Sequence, residues 1–202
     1  MKRIEFVTKS LDQAKILASK ELRLAPEFID INVLEKKGMI IKTYKVEAVV
    51  NVDPADQGYK ALKELFENMD IDAQIEMKRR SDNEVVYTIN TEENPLLIGK
   101  NGKTLEGIQF YIRNLVNLFS GERLIILVDI GGYKANRKKQ LEILATKTAK
   151  NVARSRIEAK LQPMNAYERR IIHTKLAEWR DVSTVSEGEG AKRHLVIKPK
   201  RR

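Results

Sequence analysis

The segment Ile98-Gly99-Lys100-Asn101-Gly102-Lys103-Thr104-Leu105-Glu106-Gly107-Ile108-Gln109 sets two glycines three apart at the mouth of a long amphipathic run. That run predicts a helix from Lys103 to Phe119, with Leu105, Ile108, Ile112, Leu115, Val116 and Phe119 along one stripe. Before it, Asn94-Pro95 opens a short helical turn, Leu96-Leu97-Ile98. Gly99 to Gly102 therefore joins two helical pieces. Glycines let backbone adopt left-handed dihedrals and approach a phosphate chain closely. The helix N-terminus aims unsatisfied N–H groups and partial positive charge at the same place. Lys100 and Lys103 add full charges and Asn101 a hydrogen-bonding group.

The spacing alone is close to chance, since 10 glycines in 202 residues give on the order of half a match. A plain turn between helices is one competing reading. A nucleotide-binding P-loop is another, because Gly102-Lys103-Thr104 matches the end of that motif. Its first glycine would fall at Leu97, and the segment ahead reads as helix rather than strand.

Working outward, Asp53 caps and Pro54 opens a helix carrying Ala61, Leu62, Leu65, Phe66 and Met69. Strands follow at Ala73 to Arg79 and Val85 to Thr91, around Ser81-Asp82-Asn83, and another at Leu124 to Ile130. The order is α-β-β-α-α-β. Upstream, residues 1–52 predict a β-α-β-β unit: a strand at Arg3 to Thr8, a helix opened by a Ser10/Gln13 capping box with Leu11, Ala14, Leu17 and Ala18 on one face, and strands Ile29 to Leu34 and Ile40 to Val52 around Lys36-Lys37-Gly38. No chemistry is visible there, which suits packing or interaction.

Downstream, Gly131-Gly132 leads into a predicted helix from Tyr133 to Leu161, with Leu141, Leu144, Ala145, Thr148, Val152, Ala153, Ile157 and Leu161 inward. Lys147, Lys150 and Arg154 share a neighbouring face. Gln162-Pro163-Met164 ends it. Asn165 and Glu168 form a capping pair for a helix to about Trp179, in which Arg169 and His173 lie four apart on one face with Arg170 beside them. Val182 to Ser186 and Arg193 to Ile197 predict a hairpin, followed by the basic tail Lys198-Pro199-Lys200-Arg201-Arg202. The fold class is α/β (α+β) in three small domains: 1–52, 53–131 and 132–202.

Charge divides along the same line. The chain is +10 overall, yet residues 1–130 hold 19 Lys and Arg against 21 Asp and Glu, while residues 131–202 hold 19 against 7. A cationic third attracts polyanions through counterion release. Residues 52–130 are acidic, with 9 against 14, so contact there depends on Lys100 and Lys103, with Lys78, Arg79 and Arg80 as candidates to join them. Cysteine is absent and the two histidines are His173 and His194, so no metal and no cofactor is expected. With no intact Walker motif and no metal-binding carboxylate pattern, the expected class is non-enzymatic. No apolar run nears the ~20 residues that span a bilayer and no secretion signal is visible, which points to the cytoplasm.

The α-β-β-α-α-β order with Gly99-Lys100-Asn101-Gly102 between its last helices resembles a type II KH domain. Pro163-Met164-Asn165-Ala166-Tyr167-Glu168-Arg169-Arg170-Ile171-Ile172-His173, with Ser186-Glu187-Gly188-Glu189-Gly190 and Arg193, resembles the R3H domain. Together they resemble the bacterial Jag family, also called KhpB or EloR. The N-terminal unit departs from the family, whose Lys-Lys-Gly-Phe segment is here Lys36-Lys37-Gly38-Met39. The resemblance implies RNA binding, with Gly99, Lys100, Asn101, Gly102 and Lys103 on one stretch of single strand. A second stretch falls to Arg169, Arg170 and His173, supported by Lys147, Lys150, Arg154 and Arg193. Single-stranded DNA is the competing polyanion. The resemblance also implies a small KH-only partner protein and a link to cell elongation and division or to a membrane insertase. The acidic KH-like surface is suited to such a partner or to a homodimer. The alternative function is therefore an interaction adaptor.

Overall fold

A computed structural model describes residues 2–38 and 42–200 and divides into two compact units, residues 1–131 and 132–202. Met39, Ile40 and Ile41 of the predicted turn and strand, and Arg201 and Arg202 of the tail, lie outside the described residues.

The first unit begins with β1 (Arg3–Thr8), α1 (Leu11–Leu22), β2 (Ile29–Lys37) and β3 (Thr43–Val50), an antiparallel sheet in the order β1-β3-β2. In the central strand Val46, Ala48 and Val50 are buried in alternation, because successive strand side chains point to opposite faces. The helix packs through Ala14, Ala18 and Leu22, leaving Leu11 and Leu17 largely exposed instead of on the inward stripe. Small residues one turn apart let the helix approach its neighbours closely. Ser10 holds the N-cap position without a side-chain cap, so the expected capping box does not form. Its backbone instead exchanges bonds with the Thr8 hydroxyl, which donates to Ser10 O at 3.0 Å and accepts from Ser10 N at 3.3 Å.

The chain continues as α2 (Pro54–Glu67), β4 (Gln74–Ser81), β5 (Glu84–Asn90), α3 (Asn94–Ile98), α4 (Lys103–Phe119) and β6 (Ile125–Ile130). The sheet order is β4-β5-β6, with β4 antiparallel and β6 parallel to the central strand. The crossover between β5 and β6 carries the glycine loop. Asp53 caps α2 by accepting from Ala55 N at 2.8 Å and Asp56 N at 3.2 Å. Gly58 clears space where a Cβ would stand 2.3 Å from the Tyr87 hydroxyl and 2.6 Å from Val116. That hydroxyl donates to Ala55 O at 2.8 Å, locking β5 under the start of α2. The stripe on α4 is buried as its periodicity predicts, except that Leu115 is partly exposed and turns to the N-terminal sheet. Phe119 joins the core of that sheet as well, with its ring 5.2 Å from Phe28, edge to face. Lys2 Nζ donates to Leu118 O at 2.9 Å.

The second unit comprises α5 (Tyr133–Ser155), β7 (Ala159–Lys160), α6 (Ala166–Leu176), β8 (Val182–Glu187) and β9 (His194–Pro199), the sheet running β7-β9-β8. Its core joins Leu141, Ala145, Ala149 and Val152 to Ile172, Leu176, Val182, Leu195 and Ile197. The first helix stops six residues earlier than its hydrophobic pattern suggests. Arg156 adopts a left-handed conformation, φ 60°, and its N–H bonds back to Val152 O. Ile157, expected inward, is 71% exposed, and the released chain forms β7. Leu144 of the expected stripe also faces outward. The last helix ends at Leu176, three residues before Trp179.

Candidate nucleic-acid interface

The glycine loop follows α3 through Gly99, whose N–H bonds to Pro95 O at 2.9 Å. Gly99 has φ 68° and ψ −178°, a region open essentially to glycine alone. Lys100 to Gly102 form one 3-10 turn, with Asn101 at φ 54° and Gly102 at φ 77°. Asparagine is among the few non-glycine residues that visit this left-handed region. No side chain caps α4, so its first N–H groups open toward the loop with Lys100 and Lys103, both exposed. A Cβ on Gly99 would lie 2.1 Å from Thr104 Oγ1. The loop therefore packs directly on the first turn of α4.

Of the three cations expected to assist, two are committed elsewhere. The Arg79 guanidinium bonds both oxygens of Asp53, at 2.5 and 2.6 Å, and Arg80 lies 3.4 Å from Glu84. Lys78 is exposed. Two aromatics that sequence reasoning left out stand on the outward face of α4. Phe110 is 60% exposed, with the Arg113 guanidinium 5.3 Å from its ring centre, and Tyr111 is exposed beside it. Helical spacing puts Lys103, Gly107, Phe110, Tyr111 and Asn114 opposite the buried stripe, a complement visible in the sequence once the stripe is drawn.

In residues 132–202, Asn165 caps α6 by accepting from Glu168 N at 2.9 Å. The Glu168 carboxylate is buried against Arg137 Nε of α5 at 2.7 Å. This fixes the helix so that Arg169 and His173 face β8. There Arg169 Nη1 donates to the Ser186 hydroxyl, and His173 Nδ1 stands 2.6 Å from Thr184 Oγ1. Ser186 and Thr184 are two apart on a strand, and Arg169 and His173 four apart on a helix, so four polar side chains meet along one seam. Arg169 Nε is buried there without a partner.

Arg170 does not join that seam. It lies about 100° further round α6 than Arg169, where it lines a groove with Lys138, Tyr167 and Lys175. Lys147 and Lys150 line its continuation along α5. Arg154 is exposed one turn further along the same helix face. The Arg193 carbonyl accepts from Met164 N at 3.2 Å, which sets that residue beside the start of α6, its side chain exposed. Among the described residues no three His, Cys, Asp or Glu side chains gather as a metal site, and no helix is long and apolar enough to cross a membrane.

Comparison with known proteins agrees with both local geometries. A KH domain family model matches residues 58–162 and an R3H domain model matches residues 139–199, the two overlapping on α5. Neither is an enzyme family. The chain is 30% identical over 213 residues to the RNA-binding protein KhpB of Clostridium symbiosum, covering all of this chain and 93% of the relative. It is 32% identical over 209 residues to RNA-binding protein KhpB of Bacillus subtilis strain 168, covering the whole of both. The KhpB of Streptococcus pneumoniae strain R6 is 29% identical over 81% of this chain and 48% of its own length. With a glycine loop set in the KH order, an Arg-x-x-x-His helix further along the sequence, and two relatives at 30% and 32% identity aligned over 93% and all of their length, the chain belongs to the KhpB, or Jag, family.

Proposed function

We propose that this protein binds single-stranded RNA in the cytoplasm as a post-transcriptional or cell-elongation and division regulator. Gly99, Lys100, Asn101, Gly102 and Lys103 hold one stretch of backbone, and the Arg169–His173 seam with Arg193 holds another. The loop carries the proposal: Gly99 and Gly102 bring bare backbone to the uncapped start of α4, with two exposed lysines beside it. The cationic residues 131–202, including Lys147, Lys150, Arg154 and Arg170, supply the long-range attraction. The relatives named as RNA-binding proteins support the ligand class.

Fluorescence anisotropy on short single-stranded RNA across salt tests this. Wild type binds more tightly than a scrambled basic peptide of equal charge, and Lys100→Asp/Asn101→Asp and Arg169→Ala/His173→Ala each weaken it. Equal binding by the peptide refutes the RNA reading. Tighter binding to single-stranded DNA transfers the site to that polymer.

A second reading rests on the acidity of residues 52–130 and on exposed Phe110 and Tyr111. This face suits a protein contact, either a second copy or a small KH-only partner, in an adaptor linked to a membrane insertase or the cell-wall machinery. Loss of RNA binding from the Arg169/His173 variant alone, with the loop variant unaffected, favours it.

A further inference from the structure

The Arg169–His173 seam occupies one flank of α6. The other flank, facing α5, holds a separate feature. Two open hollows, of about 420 Å³ and 540 Å³, both bordered by Glu142 and Lys175, lie along the two helices. Their cations are Lys138, Lys139, Lys147, Lys150, Arg170 and Lys175, against the single carboxylate of Glu142. Lys138 comes only within 4.0 Å of that carboxylate, and among the described residues no ion pair engages the other five. Helical spacing aligns Lys139, Ile143, Lys147 and Lys150 on the side of α5 opposite its buried Leu141, Ala145, Ala149 and Val152. At 1.5 Å per residue, Lys139 to Lys150 spans about 16 Å, enough for a short run of backbone phosphates. Tyr167 forms part of the groove's lining with 63% exposure, and Ile143 lies among the lysines at 68%.

Single-strand binders pair a cationic track with an aromatic ring on which a base stacks. We infer that the α5–α6 groove is a third single-stranded RNA subsite, in addition to the glycine loop and the seam, in which Lys139, Lys147, Lys150, Arg170 and Lys175 take the phosphates and Tyr167 stacks a base. An acidic peptide would use the cations and leave the ring idle, so the combination favours nucleic acid. Tyr167, Ile171 and Lys175 stand across the buried stripe of α6, Glu168, Ile172 and Leu176, from the seam, while Arg170, three residues before His173, borders both. It rests on the proposal that this chain binds RNA.

The experiment uses the full chain and a 20-nucleotide RNA carrying 4-thiouridine. Ultraviolet crosslinking is mapped by mass spectrometry, and anisotropy is followed across salt. Crosslinks are expected on the peptide bearing Tyr167, and they persist in Arg169→Ala/His173→Ala. In Lys147→Gln/Lys150→Gln the salt slope flattens by about 1.4, at about 0.7 per phosphate on a single strand. In Tyr167→Ala the crosslink disappears and affinity falls at least threefold with the slope unchanged. The side chains substituted in the groove, Lys147, Lys150 and Tyr167, are exposed, and circular dichroism checks that each variant is folded. Wild-type binding with unaltered slope and affinity in the groove variants overturns this inference while leaving RNA binding intact. Absence of wild-type binding overturns RNA binding itself. Loss of poly-glutamate binding without loss of RNA binding in the groove variants assigns the groove to an acidic protein and overturns the subsite.

Discussion

Glu168 stands in the first turn of α6 with its carboxylate buried on Arg137 Nε, 2.7 Å away. Breaking such a pair strands a charge in a place that water reaches poorly, which costs more than the pair itself contributes. Glu168→Gln is expected to destabilise residues 132–202 by about 3 kcal/mol, read from urea unfolding. The Arg169–His173 seam loosens with it, because the same carboxylate fixes the helix that carries both. Gly99 poses a different problem, in which dihedral and contact are separable. Gly99→Ala is expected to cost about 2 kcal/mol, about half from a backbone region that disfavours every side chain. The rest comes from the contact with Thr104. Gly99→Ala/Thr104→Ala should recover only part of the contact share, since the Cβ of residue 104 still stands 2.9 Å from the added carbon. Recovery of the whole loss in that double variant would show the dihedral to be unstrained.

The elements show which kinds of information lie within reach of local sequence. The α4 stripe was legible because its period is carried by consecutive turns of one helix. Asp53-Pro54 was legible because a cap acts within three residues. The end of α5 was not, since no Gly or Pro lies between Tyr133 and Pro163. Arg156, a residue with no special preference, makes the left-handed turn. The two-residue β7 exists only because β9, far along the chain, offers it a partner. The Arg169/His173 spacing was readable, but not that Arg170 beside them lines a groove built partly by α5. Asp53 joins the local and non-local cases, for it caps α2 and also binds Arg79 of β4. Burial works to raise its pKa. The Asp56 N–H, the Arg79 guanidinium and the Ala55 N–H, together with the Arg79 charge, outweigh that and hold it below the ordinary 3.8. A carboxylate depressed in the folded state stabilises above its unfolded pKa and loses that contribution as pH falls through the folded value. Asp53→Ala is therefore expected to cost about 1 kcal/mol at neutral pH. The gap from wild type should narrow below about pH 4 in urea titrations. A gap that widens on acidification would contradict the assigned sign.

At the scale of the molecule, the two compact units do not coincide with the two family models, because α5 lies under both matches while it packs with residues 132–202. Charge follows the compact units more closely than the models, the slightly acidic first unit holding the loop and the second holding the excess of Lys and Arg. Residues 1–131 hold two sheets, yet Phe119 of α4 is buried among Ala18, Leu22, Ile29 and Val50 and meets Phe28 edge to face. Those two sheets should consequently unfold together. The chain has one tryptophan, Trp179, packed against the core of residues 132–202. Its fluorescence therefore reports that unit alone, while far-ultraviolet circular dichroism reports both. Phe119→Ala removes a ring that both sheets share and is expected to cost about 3 kcal/mol. The dichroism midpoint of the first unit should drop in urea while the Trp179 midpoint stays in place. A variant that splits the dichroism transition further, releasing residues 1–52 ahead of residues 53–131, would show that the Leu115 packing and the Lys2 bond to Leu118 O do not suffice to couple them without Phe119. A Trp179 midpoint that moves with it would show instead that the whole chain unfolds as one cooperative body.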